Sequence, residues 1–460
     1  MADQATAQEF DILVLGGGSG GYATALRAVQ LGLTVGLVEK AKLGGTCLHN
    51  GCIPTKALLH SAEVADHARD GAKYGVNVEL QSIDMTAVNA YKDGIIAGKF
   101  KGLQGLIKGK GITVIEGEGK LTAPDTITVN GTAYKGKNIV LATGSYSRSL
   151  PGLEIGGRVI TSDEALKMDY VPKSVIVLGG GVIGVEFASV WKSFGADVTI
   201  VEGLPSLVPN EDASIIKVLE RTFKKRGIKF NTGTFFQGVE QDNDGVKVTL
   251  VDGKTFEADL LLVAVGRGPS TASLGFEEAG VTVDRGFVIT NERLHTGVGN
   301  VYAVGDIVPG VQLAHRGFQQ GIFVAEEIAG LKPVVVDDIN VPKVTYCDPE
   351  IASVGYSEKA AKEKFGEDKV ESTEYNLAGN GKSAILGTGG IIKFVREKDG
   401  PVVGVHMIGT RVGEQIGEAQ LIVNWEAYPE DVAGLIHAHP TQNEALGEAA
   451  MALAGRPLHG

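Results

Sequence analysis

The sequence predicts an α/β protein with two similar doubly wound halves and a C-terminal α+β region. Two observations carry this. A strand, a glycine turn, a helix and a second strand recur as one unit, first over residues 11–40 and again over 175–204. Beyond about residue 342 that pattern stops, and strand-like and helix-like stretches regroup.

The repeated unit opens with "DILVLGGGSGGYATALRAVQLGLTVGLVEK" and returns as "VIVLGGGVIGVEFASVWKSFGADVTIVEGL". Each begins with a short unbroken apolar run, the signature of a buried parallel strand. Glycines follow at GxGxxG spacing: Gly16, Gly18 and Gly21, then Gly179, Gly181 and Gly184. A helical stretch ends near Gly32 or Gly195, and a second β-rich run ends in Glu39 or Glu202. In both copies the acid stands 23 residues after the first glycine. Glycines let the backbone turn tightly against a pyrophosphate, and the helix N-terminus presents free N–H groups to it. The acid accepts hydrogen bonds from a ribose diol. With strand, helix and acid all in place, each motif reads as a Rossmann-like dinucleotide site. A carboxylate at position 202, with no basic residue in the following "GLPSLVP", predicts NAD rather than NADP at the second site.

Composition narrows the class. A chain of 460 residues is too long for one core and suggests about three domains. Apolar residues make up 43%, as in a folded globular protein. A net charge of −12 argues against nucleic-acid binding. No apolar run approaches the roughly 20 residues that span a bilayer. The opening "MADQATAQEF" lacks the basic and apolar regions of a secretory signal, and three cysteines are too few for a disulfide scaffold. The expectation is a soluble, cytoplasmic protein without membrane attachment.

The other elements follow the same reading. Residues 58–100 carry helical stretches, and 111–143 alternate as a β-meander. "NIVLATG" is a strand ending at Gly144, "LLLVAVGRGPS" its counterpart in the second half, and "NVYAVGDI" a short strand with Asp306 at its end. The C-terminal region holds the strand "VGVHMIG" and the helices "GEQIGEAQLIVNW" and "NEALGEAAMAL". The basic block "KKRGIK" reads as a solvated helix end.

Cys47 and Cys52 lie in "GGTCLHNGCIPTK". A zinc site needs two further ligands, and the third cysteine, Cys347, stands alone without a CxxC; no metal is expected. Two packed thiols are the plain alternative. A redox pair requires the two Cα atoms within about 7 Å, whereas residues five apart in a regular helix stand roughly 8–9 Å apart. The first turn must therefore be distorted, with Gly51 supplying the freedom. Pro54 is tolerated in a helix's first turn, so a helix should start near Cys52. Its N-terminus would favour a Cys52 thiolate, leaving Cys47, on the preceding loop, as the more reachable sulfur.

With a redox pair following one dinucleotide site and preceding another, the chain resembles the flavoprotein disulfide reductases over nearly its full length. Within them it looks like the dihydrolipoamide dehydrogenase branch. The residues that carry the resemblance are "GGGSGGY", "GGTCLHNGCIPTKAL", "LATGS", "GGGVIGVEFA", "VYAVGDI", "LAHRG" and "HAHPTQNEALGEAA". The resemblance implies FAD at the first site and NAD at the second. It implies an FAD domain over 1–148, completed by 272–341, an NAD domain over 149–271, and a C-terminal dimerisation domain over 342–460 that makes a homodimer. It also implies oxidation of protein-bound dihydrolipoamide to lipoamide through the disulfide, with electrons passing through FAD to NAD+. The implied partners are the lipoyl-bearing acyltransferase of 2-oxo acid dehydrogenase complexes or the glycine cleavage H protein.

Residue by residue, the resemblance sets Gly16, Gly18 and Gly21 at the FAD pyrophosphate, Glu39 at its ribose and Gly119 at the adenine end. Thr143 and Gly144 also belong to the FAD site, Asp306 would hold the ribityl chain, and Ala314 would lie by the flavin. Lys56 would stand near the flavin ring, paired with Glu186. Gly179, Gly181, Gly184, Glu202 and Gly266 would line the NAD site. Cys47 and Cys52 would exchange with the lipoyl thiols, and His439, held by Glu444, would be the acid/base. Local sequence says less about the last groups: Thr441 and Glu444 have capping-box spacing, and Lys56 alone reads as a solvated helix charge. Cys347 reads as a packed thiol. The chain departs from the branch most visibly at His49, where Asn is usual; a titratable group there is expected to alter the pH response of Cys47. The alternatives are another NAD(P)H-dependent disulfide reductase, or a non-catalytic FAD- and NAD-binding sensor, which would have no need of Cys47, Cys52 and His439.

Overall fold

A computed structural model describes residues 8–459. The chain divides into two units. The first gathers the described residues up to 57 with 86–148 and 267–338; the second gathers 58–85, 149–266 and the residues from 339 on.

The first unit is organised by a seven-stranded sheet. Glu9–Leu15 runs in its middle, parallel to Val35–Glu39 on one side and Thr132–Leu141 on the other. Thr113–Glu116 extends the sheet in parallel beyond Val35–Glu39, and Val301–Ala303 runs parallel to Thr132–Leu141. Gly119–Ala123 and Thr126–Val129 complete the antiparallel meander against Thr132–Leu141. From Ile12 on, the central strand is apolar because it is covered on both faces: Ile12, Leu13 and Val14 are fully buried. One covering layer pairs the helix Ser19–Gln30 with Ala314–Ile328. They approach closely because both lack side chains at the crossing: a Cβ on Gly321 would lie 2.3 Å from the Gly20 carbonyl oxygen.

In the second unit, five parallel strands lie in the order Lys229–Thr232, Asp197–Glu202, Ser174–Leu178, Leu260–Val263 and Val159–Ile160. A three-stranded antiparallel sheet follows: Phe236–Gln241, Val246–Leu250 and Thr255–Ala258. The C-terminal part is a five-stranded antiparallel sheet, with Glu350–Gly355, Val402–Gly409 and Ile391–Glu397 at its centre. Its helices Val412–Asn424 and Glu444–Leu453 share one core with it, in which Phe394, Met407, Ala445 and Leu446 are fully buried.

Buried charge binds the unit together. Lys393, on the C-terminal sheet, puts its Nζ 3.0 Å from Asp212 Oδ1 and 2.7 Å from Glu358 Oε2. A buried ammonium is tolerable only when so paired. Asp212 also caps the helix Ala213–Arg226 through the Ser214 N–H. The end of that helix corrects one expectation. Gly227 stops it in a left-handed conformation, but Arg226 is not a solvated charge. Its guanidinium donates to the Ser193 hydroxyl at 2.9 Å and the Asp348 carbonyl at 2.7 Å, and pairs with Asp66 at 3.3 Å. Among the described residues no helix is long and apolar enough to cross a membrane, and no cluster of His, Cys, Asp and Glu is suited to a metal ion.

Candidate active site

The first glycine cradle forms because side chains are missing where backbone must touch backbone. Gly16 turns with φ +106°, and a Cβ there would lie 2.3 Å from the Ala142 carbonyl oxygen. A Cβ on Gly21 would stand 1.8 Å from the Gly16 carbonyl oxygen, so the helix meets the strand only as glycine. Gly18, the N-cap of Ser19–Gln30, has no backbone crowding it closer than 3.9 Å. Glu39 bridges the turn: Oε2 accepts the Gly17 N–H at 2.7 Å and Oε1 the Ala41 N–H at 2.7 Å. Beside it opens a cleft lined by Gly16, Glu39, Gly119 and Thr143, four residues expected at one site.

Further along the same sheet edge, Thr143 Oγ1 donates to the Ser270 carbonyl at 2.6 Å and Gly144 turns with φ +75°. Asp306 sits in the short turn Gly305–Ile307, and Ala314 is the first residue of its helix. Three residues that were not singled out from sequence hold this corner. Ser145 Oγ donates to Asp306 Oδ2 at 2.5 Å, Arg267 Nε donates to Ser145 Oγ at 2.7 Å, and the buried Gln320 accepts the Gly305 N–H at 2.8 Å. "LATGS" and "LAHRG" lie beside them, but only the fold brings Arg267 to Ser145. The open space at Gly18, the Glu39 carboxylate at the end of its strand and the adjoining cleft fit the adenosine diphosphate half of FAD.

The second cradle repeats the first closely. A Cβ on Gly179, at φ +111°, would lie 2.4 Å from the Ala264 carbonyl oxygen, and one on Gly184 would lie 1.9 Å from that of Gly179. Gly181 caps Val182–Phe194. A Cβ added to Gly181 or to Gly266 would meet no heavy atom within 4 Å, so both face open space. Glu202 accepts the Gly180 N–H at 2.6 Å and the Leu204 N–H at 2.7 Å. Glu186, buried on the same helix, accepts the Tyr346 N–H at 2.9 Å.

Between Glu39 and the long helix Cys52–Asp70 lies the cysteine segment. Cys47 is not on a loop, as expected, but within a helix of its own, Gly45–His49, which breaks at Asn50 and Gly51 before the second helix begins at Cys52. The break turns the two thiols toward each other, close enough for Cys52 to act on Cys47. Gly51 contributes by close approach rather than by an unusual φ: a Cβ there would lie 3.0 Å from the Thr46 carbonyl oxygen and 3.5 Å from Cys47 Cα. Thr55 tightens the new helix by donating its hydroxyl to the Gly51 carbonyl at 2.7 Å. The hydrogen bond with Cys52, burial and the charge of Cys52 push the Cys47 thiol up, while Lys56 pulls it the other way.

His49 lies two residues from Cys47, a spacing that turns side chains to opposite sides of a helix. Its Nε2–H donates to the Leu43 carbonyl at 2.9 Å, and its ring meets Phe100 edge-on at 5.1 Å. It anchors the cysteine helix. Cys347 is fully buried, with its thiol donating to the Pro349 carbonyl at 3.2 Å.

In the second unit, His439 and Glu444 form a dyad at the start of the final helix. His439 Nδ1–H donates to Glu444 Oε1 at 2.8 Å, and the His439 side chain is 77% exposed. Glu444 Oε2 accepts the Thr441 N–H at 2.7 Å, so one carboxylate holds the turn before the helix and orients the imidazole at once; the helix starts after Asn443, without the capping box that the Thr441–Glu444 spacing suggested. Burial raises the Glu444 carboxyl, but the Thr441 N–H and His439 outweigh it and hold the group below its ordinary value. A neighbouring dyad pairs His437 Nε2–H with Glu418 at 2.7 Å on a ring far less exposed, which separates the two histidines of "HAHPT".

Comparison with known proteins agrees with this geometry. Residues 10–321 match the family described as pyridine nucleotide-disulphide oxidoreductase, and residues 341–450 match the dimerisation domain of that family. A mitochondrial dihydrolipoyl dehydrogenase of Pisum sativum is 41% identical, covering 98% of this chain and 93% of the relative. A dihydrolipoyl dehydrogenase of Bacillus subtilis is 40% identical, covering 98% of this chain and 100% of the relative. The crystal structure of LpdA from Mycobacterium tuberculosis superimposes with a TM-score of 0.90 at 25% identity, covering 97% of this chain and 100% of that one.

Proposed function

The chain belongs to the pyridine nucleotide-disulphide oxidoreductase family, and from that premise we infer that it oxidises dihydrolipoamide to lipoamide and reduces NAD+ to NADH and H+. It is an NAD-dependent flavoprotein oxidoreductase of the dihydrolipoyl dehydrogenase type, and through its dimerisation domain a homodimer. The observation that carries the reading is the Cys47–Cys52 pair, set on either side of a helix break directly after a nucleotide cradle, in a chain with a second cradle.

We assign FAD to the first cradle, held by Gly16, Gly18, Gly21, Glu39, Gly119, Thr143, Gly144, Asp306 and Ala314. NAD belongs to the second, held by Gly179, Gly181, Gly184, Glu202 and Gly266. FAD, when bound, supplies a two-electron relay between the cysteine pair and the nicotinamide. The side chains do the rest. His439 takes the proton of a dihydrolipoyl thiol, and Glu444 orients the ring and stabilises the imidazolium that results. The lipoyl thiolate attacks Cys47 Sγ; the new S–S bond forms as the Cys47–Cys52 bond breaks, and Cys52 leaves as the thiolate. The second lipoyl thiolate then displaces Cys47, which leaves with the electron pair, so the lipoyl group is oxidised by two electrons and the protein disulfide reduced by two. Lys56, one turn along the helix from Cys52, favours negative charge at the pair, and we assign both it and Glu186 to the flavin end of the relay.

We further propose that the dihydrolipoyl group arrives on a separate protein, the acyltransferase of a 2-oxo acid dehydrogenase complex or the glycine cleavage H protein, and that the enzyme works in the cytoplasm. Only three cysteines in 460 residues suit a reducing compartment. The test is NAD+ reduction by the purified flavoprotein with dihydrolipoamide, run beside NADP+ and Cys47→Ser. Rapid NAD+-specific turnover, lowered at least a thousandfold by the variant, is expected. Turnover with NADPH and a different disulfide instead would overturn both the substrate and the nucleotide.

A further inference from the structure

The second cradle carries an aromatic ring that the reaction above leaves unused. Phe235 stands just beyond the strand Lys229–Thr232 and is 62% exposed. Exposure of a phenyl ring is unfavourable by itself, yet this ring is seated. A Cβ on Gly203 would lie 2.6 Å and 2.8 Å from Phe235 Cδ1 and Cε1, so the ring rests on the bare backbone of the residue after Glu202. The two loops are stitched together: the Gly233 N–H donates to the Leu204 carbonyl at 2.8 Å, and the Val251 N–H to the Phe235 carbonyl at 3.0 Å. Leu204 in turn donates its N–H to the Glu202 carboxylate at 2.7 Å. The ring is thereby tied to the ribose-binding acid.

The strand order says what lies in front of it. The helix after Ser174–Leu178 offers its N-terminus to the pyrophosphate. Glu202, at the end of the neighbouring strand, takes the adenosine ribose. The adenine is then carried one strand further, over the end of Lys229–Thr232, which pairs with Asp197–Glu202. Phe235 is on the loop that leaves that end.

We propose that Phe235, seated on Gly203, is the stacking platform for the adenine ring of NAD. The proposal rests on the second cradle binding NAD and adds the residue that grips the base. Gly203 and Phe235 act as a matched pair: the ring reaches its position only because residue 203 has no side chain. A π-face recognises adenine without reading its hydrogen-bonding edge, so the platform contributes affinity for any adenosine diphosphate ligand that Glu202 accepts.

Calorimetric titration of the purified flavoprotein dimer with ADP-ribose and with nicotinamide mononucleotide tests this. Phe235→Ala should weaken ADP-ribose roughly tenfold and leave nicotinamide mononucleotide unchanged, and Phe235→Trp should restore ADP-ribose binding. Gly203→Val, with Phe235 intact, should weaken ADP-ribose to a similar degree by displacing the ring. Equal ADP-ribose affinity in wild type and Phe235→Ala would overturn the platform while leaving the NAD site standing. Equal losses for both ligands would overturn it as a local structural effect. A wild-type protein that binds neither ligand would overturn the NAD assignment itself, and the platform with it.

Discussion

The two glycine cradles are nearly the same object built twice. In both, a strand ends in a left-handed glycine, a helix meets that glycine's carbonyl through another glycine, and a glutamate takes two backbone N–H groups at 2.6–2.7 Å. They differ in what surrounds them. The first helix is lined with small residues, among them Gly20, Ala25 and Ala28, and lies tight against Ala314–Ile328. The second buries Phe187, Val190 and Trp191. After the first acid the chain enters the cysteine helix; after the second it enters a loop with Gly203 and Leu204 and no thiol. Nucleotide binding is thus a property of a local backbone pattern that can be copied, whereas redox chemistry depends on what is placed beside one copy.

The largest test of that distinction puts a side chain into each cradle in turn. Gly21→Val should give protein without flavin and without activity, because the new atoms overlap the Gly16 carbonyl. Gly184→Val should keep the flavin, and its reduction by dihydrolipoamide, but lose measurable NADH binding. Flavin absorbance and nucleotide titration read the two outcomes, and loss of flavin in Gly184→Val would show that the cradles are not independent.

The next test separates the cradles from His439, the acid/base proposed above, which neither cradle contains. His439→Gln should retain flavin and NADH binding while turnover with dihydrolipoamide falls about 10²–10⁴-fold. Near-wild-type turnover would remove His439 from the chemistry.

The smallest effect sharpens the comparison at the opposite end of the first sheet. Lys137 and Thr34 hold the Asp11 carboxyl down at about 2, against an ordinary value of 3.8. A depressed carboxylate stabilises the fold at pH above the unfolded value and loses that contribution as pH falls through the folded one. Asp11→Asn should therefore melt a few degrees below wild type at pH 7, with the gap closing as pH falls from about 4 toward 2. A gap that persists at low pH would assign the loss to packing instead of charge.

How much was legible depends on the distance along the chain over which a feature is defined. The cradles and the paired cysteines are each written within a few tens of residues, so spacing and residue type revealed them; the His439–Glu444 dyad was pointed to only by the family resemblance. Local sequence missed Cys47's own short helix, because the break at Asn50–Gly51 depends on how Gly51 fits against the Thr46 carbonyl. It also misread Arg226 as solvated, since the partner Asp66 lies 160 residues away. The anchoring of the His49 ring to Leu43 and Phe100 was likewise not legible, since Phe100 lies 51 residues away.

The sequence by itself determined two parts: a pair of nucleotide-binding units and a thiol pair at a helix start. These follow from local rules of backbone freedom, hydrogen-bond capping and periodicity. Only the tertiary structure decided the clamp of Arg267 and Ser145 on Asp306, the burial of Lys393 between two acids, and the seat of Phe235 on Gly203. Each joins residues far apart in the chain. Their energies come from desolvation and close contact, which exist only once the segments have packed.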